Sequence, residues 1–343
     1  MGTEGGNAPG GTRALRAAGL LVAVVVLGVL CLLSIWLGSK EIPVTDVWHI
    51  LWRDDGSADA VVIHSVRIPR TLLAVAVGAA MGLAGALMQA LTRNPLAEPG
   101  LLGVNAGASF AIVFAIAVLG VTSLYSYIWF AFAGALAASV LVYLLGNRGR
   151  TEASPVRLAL AGVAVTALLT SFTSALVLTD PVALNRYRFW SAGSLAGPVS
   201  GSLVRVLPFL AVGVVLALAS APALNSMALG DDTAKSLGRR LGLVRAQGVV
   251  AVTLLTGGAV AVAGPIMFLG LVIPHVARFV TGPDHRWLLP YSMVLAPCLL
   301  LVADIVGRVV TRPAETQVGI VVALLGAPFF IALVRRRRRL AEL

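Results

Sequence analysis

The feature that most constrains this chain is a series of apolar stretches, each close to the length that crosses a bilayer. A helix through the hydrocarbon core needs ~20 consecutive apolar residues. Ala14–Leu37, Thr71–Leu91, Tyr125–Gly146, Val156–Leu178, Leu203–Ala221, Gly248–Ala263, Trp287–Val302 and Gly319–Val334 approach or meet that length, and Gly100–Leu119 is almost as apolar. Only 12% of the 343 residues are charged, against about 25% in soluble domains. In lipid, backbone polar groups must be satisfied within the spanning structure, and runs of this length do so as helices. The chain is therefore expected to be an all-α polytopic membrane protein. Residues 13–335 form one transmembrane domain, with no polar stretch long enough for a soluble one. Residues 1–12, rich in glycine, are expected to be a disordered tail, and residues 336–343 a basic tail.

Charge placement gives the orientation. The net charge is +11, but the bases lie in clusters between apolar runs and not on a polar face with stacking aromatics, which argues against nucleic acid. Positive charge is retained on the cytoplasmic side. That rule assigns Arg148, Arg150 and Arg157, then Lys235, Arg239, Arg240 and Arg245, and finally the run Arg335–Arg339 to the cytoplasm. Counting crossings between these loops gives about ten transmembrane helices with both termini cytoplasmic, in a cytoplasmic or inner membrane. The eighth is short and bracketed by Pro265 and Pro274. Asp180–Gly201, with Arg186 and Arg188, falls outside as a local exception. Gly38–Val66 is the longest external segment, with an interfacial helix expected around Val44–Trp52. Arg13 and Arg16 precede the first run as in a signal peptide. That run is too long, and no small-x-small cleavage site follows it, so an uncleaved first helix is expected.

Several chemistries are excluded. Neither lysine, Lys40 or Lys235, follows a glycine, so there is no phosphate-binding loop of the Walker type. His49, His64, His275 and His285 are scattered and set up no metal site. His275, beside Pro274, is expected to pack at a helix end. Cys31 and Cys298 each sit inside an apolar run, as packing residues and not as a disulfide. Ion-coupled carriers bury acids at mid-membrane, and these apolar cores are almost free of them. Asp304 comes nearest, but Arg308 follows at i,i+4, the spacing of a helical ion pair. A many-helix pathway with no energy source of its own implies a partner that supplies one.

Two polar patches fit that picture. "TRNPLAEPGLLGVNAGAS", Thr92–Ser109, carries Asn94-Pro95 and Glu98-Pro99-Gly100, which force a turn at the inner end of the second helix. Non-helical backbone survives at membrane depth only where protein covers it or it lines a cavity. Asn94, Pro95 and Leu96 are thus candidates for a constriction, which an apolar ring closes by excluding water. "NSMALGDDTAKSLGRRLGL", Asn225–Leu243, is expected to hold a short amphipathic helix at about residues 226–238. Asn225 or Ser226 would cap it, Asp231 and Asp232 suit its first turn and Lys235 its later part, and Gly238 would end it. Ala228, Ala234 and Leu237 would supply its apolar contacts. Gly78, Gly82 and Gly85 form a small face for close helix packing.

"RIPRTLLAVAVGAAMGLAGALMQALTRNPLAEPGLLGVNAGA", "LALAGVAVTAL", "FWSAGSL", "AKSLG", "GPIMFLGLVIPHVAR" and "ADIVGRVV…AETQVGIVVALLGAPFFIALV" occur in this order over about Pro43–Val334. Together these blocks resemble the FecCD family, the permease subunits of ABC importers for iron–siderophore, haem and cobalamin. The resemblance implies a type II ABC importer permease fold. It implies a second permease subunit in a homo- or heterodimer, two cytoplasmic ATPase subunits, an extracytoplasmic substrate-binding protein and surrounding lipid. It implies no cofactor, no metal site and no catalytic residue. It places the cytoplasmic gate at Asn94, Pro95 and Leu96, with a second gate element in the region Glu152–Arg157. ATPase coupling falls at Gly230, Asp231, Ala234, Lys235, Leu237 and Gly238. Docking of the external protein falls to Arg67, Arg70 and Arg308. The cargo it favours is a ferric siderophore, with haem or cobalamin as alternatives and an ion-coupled secondary transporter as the remoter one.

Overall fold

A computed structural model of the chain describes residues 9–53, 55–121, 123–146, 155–196 and 199–341. Its helices are α1 (Pro9–Trp36), α2 (Val44–Trp52), α3 (Ala58–Val62), α4 (Ile68–Thr92), α5 (Val104–Ala117), α6 (Leu124–Gly146), α7 (Pro155–Thr179), α8 (Pro181–Ser191), α9 (Val199–Ala219), α10 (Ala221–Ala228), α11 (Asp231–Ser236), α12 (Leu241–Ala263), α13 (Leu269–Thr281), α14 (His285–Val310) and α15 (Val318–Ala341). A π-helical turn, Ile63–Arg67, joins α3 to α4, and a 3-10 turn, Pro99–Leu102, leads into α5. No strand occurs among the described residues. Seven helices are long and apolar enough to cross a membrane. Three shorter apolar helices, Val104–Ala117, Leu269–Thr281 and Val318–Ala332, accompany them among the described residues.

The centre of the bundle is α4, most of whose residues are buried, as in a helix apolar on every face, with Leu72 exposed. It packs along α14, α12 and α13; α12 continues the core to α9 and α6, and α5 lies between α6 and α7. The glycines of α4 set these distances. A methyl on Gly78 would lie 2.6 Å from the Pro297 Cα, on Gly82 2.3 Å from the Ser292 carbonyl oxygen, and on Gly85 1.9 Å from the Gly270 carbonyl oxygen. Backbone meets backbone at each position, which only the smallest residue permits.

Several boundaries differ from the sequence-based expectation. α1 begins at Pro9, inside the segment expected to be disordered, and α15 runs through the arginine cluster to Ala341. The third crossing starts only at Val104, because the chain first makes the 3-10 turn. Pro274 lies within α13 instead of ending it. Asp180–Gly201 is no plain external loop. It forms α8 against α5 and α7, then tucks into the bundle, where the Ser194 N–H donates to the Ala263 carbonyl at 2.7 Å and the Gly319 N–H to the Gly193 carbonyl at 3.1 Å. The last carbonyls of a helix need such donors. The interfacial helix is present as α2, with Val47 and Ile50 buried and Trp48 and Trp52 exposed, the placement favoured at a headgroup layer. The second gate region falls partly outside the described residues, and Pro155 opens α7.

The close approach makes a testable contrast. Gly85→Val should destabilise the detergent-solubilised protein by about 1–3 kcal/mol or more, as overpacking does. Gly28→Val, on an α1 face with nothing within 4 Å, should leave the melting temperature nearly unchanged. Equal shifts for both would show that α4 does not depend on this contact.

Candidate functional site

At the end of the bundle where α4 stops, Arg93 caps the helix in the left-handed region at φ 49. Asn94 then closes a tight turn. Its Oδ1 accepts from the Leu96 N–H at 2.9 Å, and its carbonyl from the Ala97 N–H at 3.0 Å. Asparagine favours such turns because its side chain bonds the backbone two residues on. Asn94 and Leu96 are exposed, whereas Ala97 and Pro99 are buried.

The turn is fastened to α13. The Pro95 carbonyl lies 2.8 Å from the His275 Nε2, and the Glu98 Oε1 accepts from the Phe268 N–H at 2.9 Å. One step back along α4, the Gln89 Nε2 donates to the Leu271 carbonyl at 3.2 Å and the Arg278 Nη1 to the Gln89 Oε1 at 2.6 Å. Burial raises the Glu98 carboxyl above its ordinary range, with the Phe268 N–H acting the other way. His275 is therefore no helix-end packing residue. It is buried within α13 and aimed at the turn, and neither its pairing nor that of Glu98 was visible in the sequence, because the partners lie ~170 residues apart.

The expected amphipathic helix is two helices, α10 and α11, broken at Leu229-Gly230, where Gly230 has φ 111. The Gly238 N–H donates to the Lys235 carbonyl at 2.9 Å and the Arg239 N–H to the Ala234 carbonyl at 3.0 Å, a Schellman ending around a left-handed glycine. The expected caps are otherwise employed. The Asn225 Nδ2 donates to the Asp284 Oδ1 at 2.6 Å, and its Oδ1 accepts from the His285 N–H at 2.8 Å, tying α10 to the start of α14. Burial opposes ionisation of Asp284, but the hydrogen bonds from Asn225 and Arg286 and the nearby Arg286 and Arg16 charges outweigh it and lower its pKa. Ala234 is wholly buried within the chain, so it is no outward contact. Of the expected contacts, Ala228 and Leu237, the latter 59% exposed, do face outward; Leu229, 67% exposed, joins them and was passed over by sequence reasoning. Asp231 faces inward, bonded to Arg93 and, at 2.9 Å, to the Arg245 Nη2.

At the opposite end the structure brings Arg67, Arg70 and Arg308 together, but not as free cations. Each is under 5% exposed. Arg67 donates to the carbonyls of Ile35, at 2.9 Å, Trp36 and Lys40. The Arg308 Nη1 donates to the Ser34 carbonyl at 3.0 Å, and Nη2 to the Ser34 Oγ at 2.9 Å. Both thus satisfy the last carbonyls of α1, at the negative end of its dipole. Arg70 bonds Asp304 at 2.7 Å and Glu315 at 2.6 Å, and Arg308 lies 3.0 Å from Asp304, the i,i+4 pair. The expectation of three outward arginines ready to grip an external protein is corrected accordingly. The end of α1 and two carboxylates already occupy them.

Loss of one partner in such a network leaves a buried charge uncompensated, which costs about 3–5 kcal/mol. Arg70→Ala should therefore lower the melting temperature of the isolated protein and its yield in membranes. An unchanged melting temperature would return Arg70 to a purely external role. Burial works against the Glu315 carboxylate, but the Arg70 hydrogen bond and charge lower its pKa overall. Its stabilising contribution is thus complete above the unfolded value of about 4.3 and is lost progressively as pH falls from there through the lower folded value. Glu315→Gln should lose that acid-side dependence, read from melting temperatures across pH.

Seven helices long and apolar enough to cross a membrane and three shorter apolar ones, among the described residues, are the make-up of a multi-pass membrane protein. Residues 25–336 match the model of the FecCD transport family, and the chain belongs to that family. It is 48% identical over 329 residues to the ferric enterobactin transport system permease protein FepD of Escherichia coli (strain K12), covering 96% of this chain and 97% of that one. It is 42% identical to the probable siderophore transport system permease protein YfiZ of Bacillus subtilis (strain 168), over 83% of this chain and 86% of that one. Among solved structures it resembles an inward-facing conformation of a metal-chelate type ABC transporter, with a TM-score of 0.83 and 28% identity, over 93% of this chain and 99% of that one.

Proposed function

We propose that this chain is the membrane subunit of an ABC importer for a ferric siderophore. It works as a dimer with a second permease subunit and is driven by two ATPase subunits on the cytoplasmic side. A binding protein on the other side delivers the cargo over the end that carries α2 and the arginine network. Both termini are cytoplasmic, the side on which positive charge is retained, given the bases of Lys235–Arg245 and the run Arg335–Arg339. The turn Asn94–Leu96 is the gate, with the Leu96 side chain and the Asn94 amide at its mouth. The exposed face of α10–α11 receives the ATPase through Leu229 and Leu237, with Lys235 and Asp232 at its rim. The observation that carries this reading is the pair of exposed leucines, Leu229 and Leu237, on the helix pair that Arg93 ties to the turn. The names of the two permease relatives support the siderophore as cargo.

No bond of the cargo need break in this chain. Binding and hydrolysis of ATP in the partners would shift α10–α11, and the gate turn would open or close in response.

Two measurements test the reading. Leu229→Asp and Leu237→Asp should each reduce co-purification of the ATPase subunits by about tenfold or more, as loss of a central apolar contact does, while the permease itself stays folded. Undiminished co-purification would remove α10–α11 from the docking surface. Deleting the subunit should abolish cellular uptake of radiolabelled iron presented as ferric enterobactin but not as haem. Loss of haem uptake alone would reverse the assignment of cargo.

A further inference from the structure

Arg93 joins the two parts that the proposed function treats separately. Its backbone follows α4 and leads directly into Asn94, while its side chain leaves the turn and reaches the helix pair. The Nη2 donates to the Met227 carbonyl of α10 at 2.9 Å and to the Asp231 Oδ1 at the start of α11. The other oxygen of that carboxylate is held at 2.9 Å by Arg245, in the first turns of α12. One guanidinium therefore touches both short helices across their break at Leu229-Gly230.

Two further facts argue that this contact does more than stabilise the fold. The backbone of Arg93 is left-handed, a conformation that glycine or asparagine adopts more easily at the end of a helix. A long basic side chain sits there although a residue without one would cap α4 better. The Arg93 side chain is also 43% exposed, and ion pairs so open to solvent contribute about 0–1 kcal/mol. The far side of the turn, by contrast, is pinned to α13 through Pro95 and Glu98. The turn thus hangs between a fixed anchor and a tie that reaches the start of the mostly exposed α11.

We propose that Arg93 is the positioning residue that transmits movement of α10–α11 to the gate turn. Displacement of the pair carries Met227 and Asp231 with it, and the shared guanidinium draws the start of the turn along. Asp231, held by Arg245, keeps the tie in register, and the α13 contacts act as the fulcrum. The inference rests on the reading that ATPase subunits act on α10–α11.

The test uses the complete importer, permease with its ATPase subunits, in liposomes supplied with binding protein and radiolabelled ferric enterobactin. Arg93→Gly keeps the left-handed cap and removes the tie; Arg93→Lys keeps the charge but carries it on a shorter side chain as a flexible ammonium, without the rigid guanidinium. The readout is iron taken up per ATP hydrolysed, with ATPase retention and melting temperature measured on the same preparations. Arg93→Gly is expected to lower the ratio about tenfold, within the usual range of coupling energies. Arg93→Lys should fall between it and the unaltered protein, and ATPase retention and melting temperature should hold. A ratio unchanged in Arg93→Gly overturns the inference. So does loss of the ATPase from that variant, which would make Arg93 a docking residue. If Leu229→Asp and Leu237→Asp keep their ATPase, the docking reading fails by itself, and the Arg93→Gly ratio still decides whether the tie transmits anything.

Discussion

The structure depends on one constraint: in lipid, a backbone N–H or carbonyl that leaves the helical ladder must find a partner inside the protein. Several departures from helix among the described residues illustrate how that is met. Arg67 and Arg308 answer the last carbonyls of α1. Ser194 answers the end of α12. His275 and Glu98 answer the backbone of the turn and of the break before α13. The polar side chains of this chain are few, and many are spent where a helix ends. The same groups that make the turns affordable also fix where they point, which is how a demand of folding becomes the geometry of a gate.

Much of this was legible in the sequence. The length of the apolar runs set the fold class. Proline and glycine marked the Asn94–Leu96 turn, and a short helix was expected around Val44–Trp52. Local rules sufficed wherever one helix or one turn decided the matter, as in the ending at Gly238.

What was not legible are pairings between distant residues. The sequence shows Arg67, Arg70 and Arg308 as three outward arginines, since nothing local reveals that α1 ends beside them. Ala234 passes for an outward contact because helical spacing cannot say which side of a six-residue helix meets the rest of the chain. Asn225 has the type and position of a cap, yet Asp284 and His285, far along the chain, recruit it. In each case tertiary competition for a scarce polar partner overrode a sound local preference. Arg93 was missed for a related reason. Its neighbours Asn94 and Pro95 dominate the local signal, and its own acceptors lie on another element.

The glycine contacts of α4 have a mechanical consequence. Where a carbonyl oxygen occupies the space of a missing methyl, two helices cannot slide or roll without collision. α4 with α13 and α14 should then move as one block, and the degrees of freedom for any cycle of opening must lie at its periphery, among helices whose mutual surfaces are cushioned by side chains and lipid.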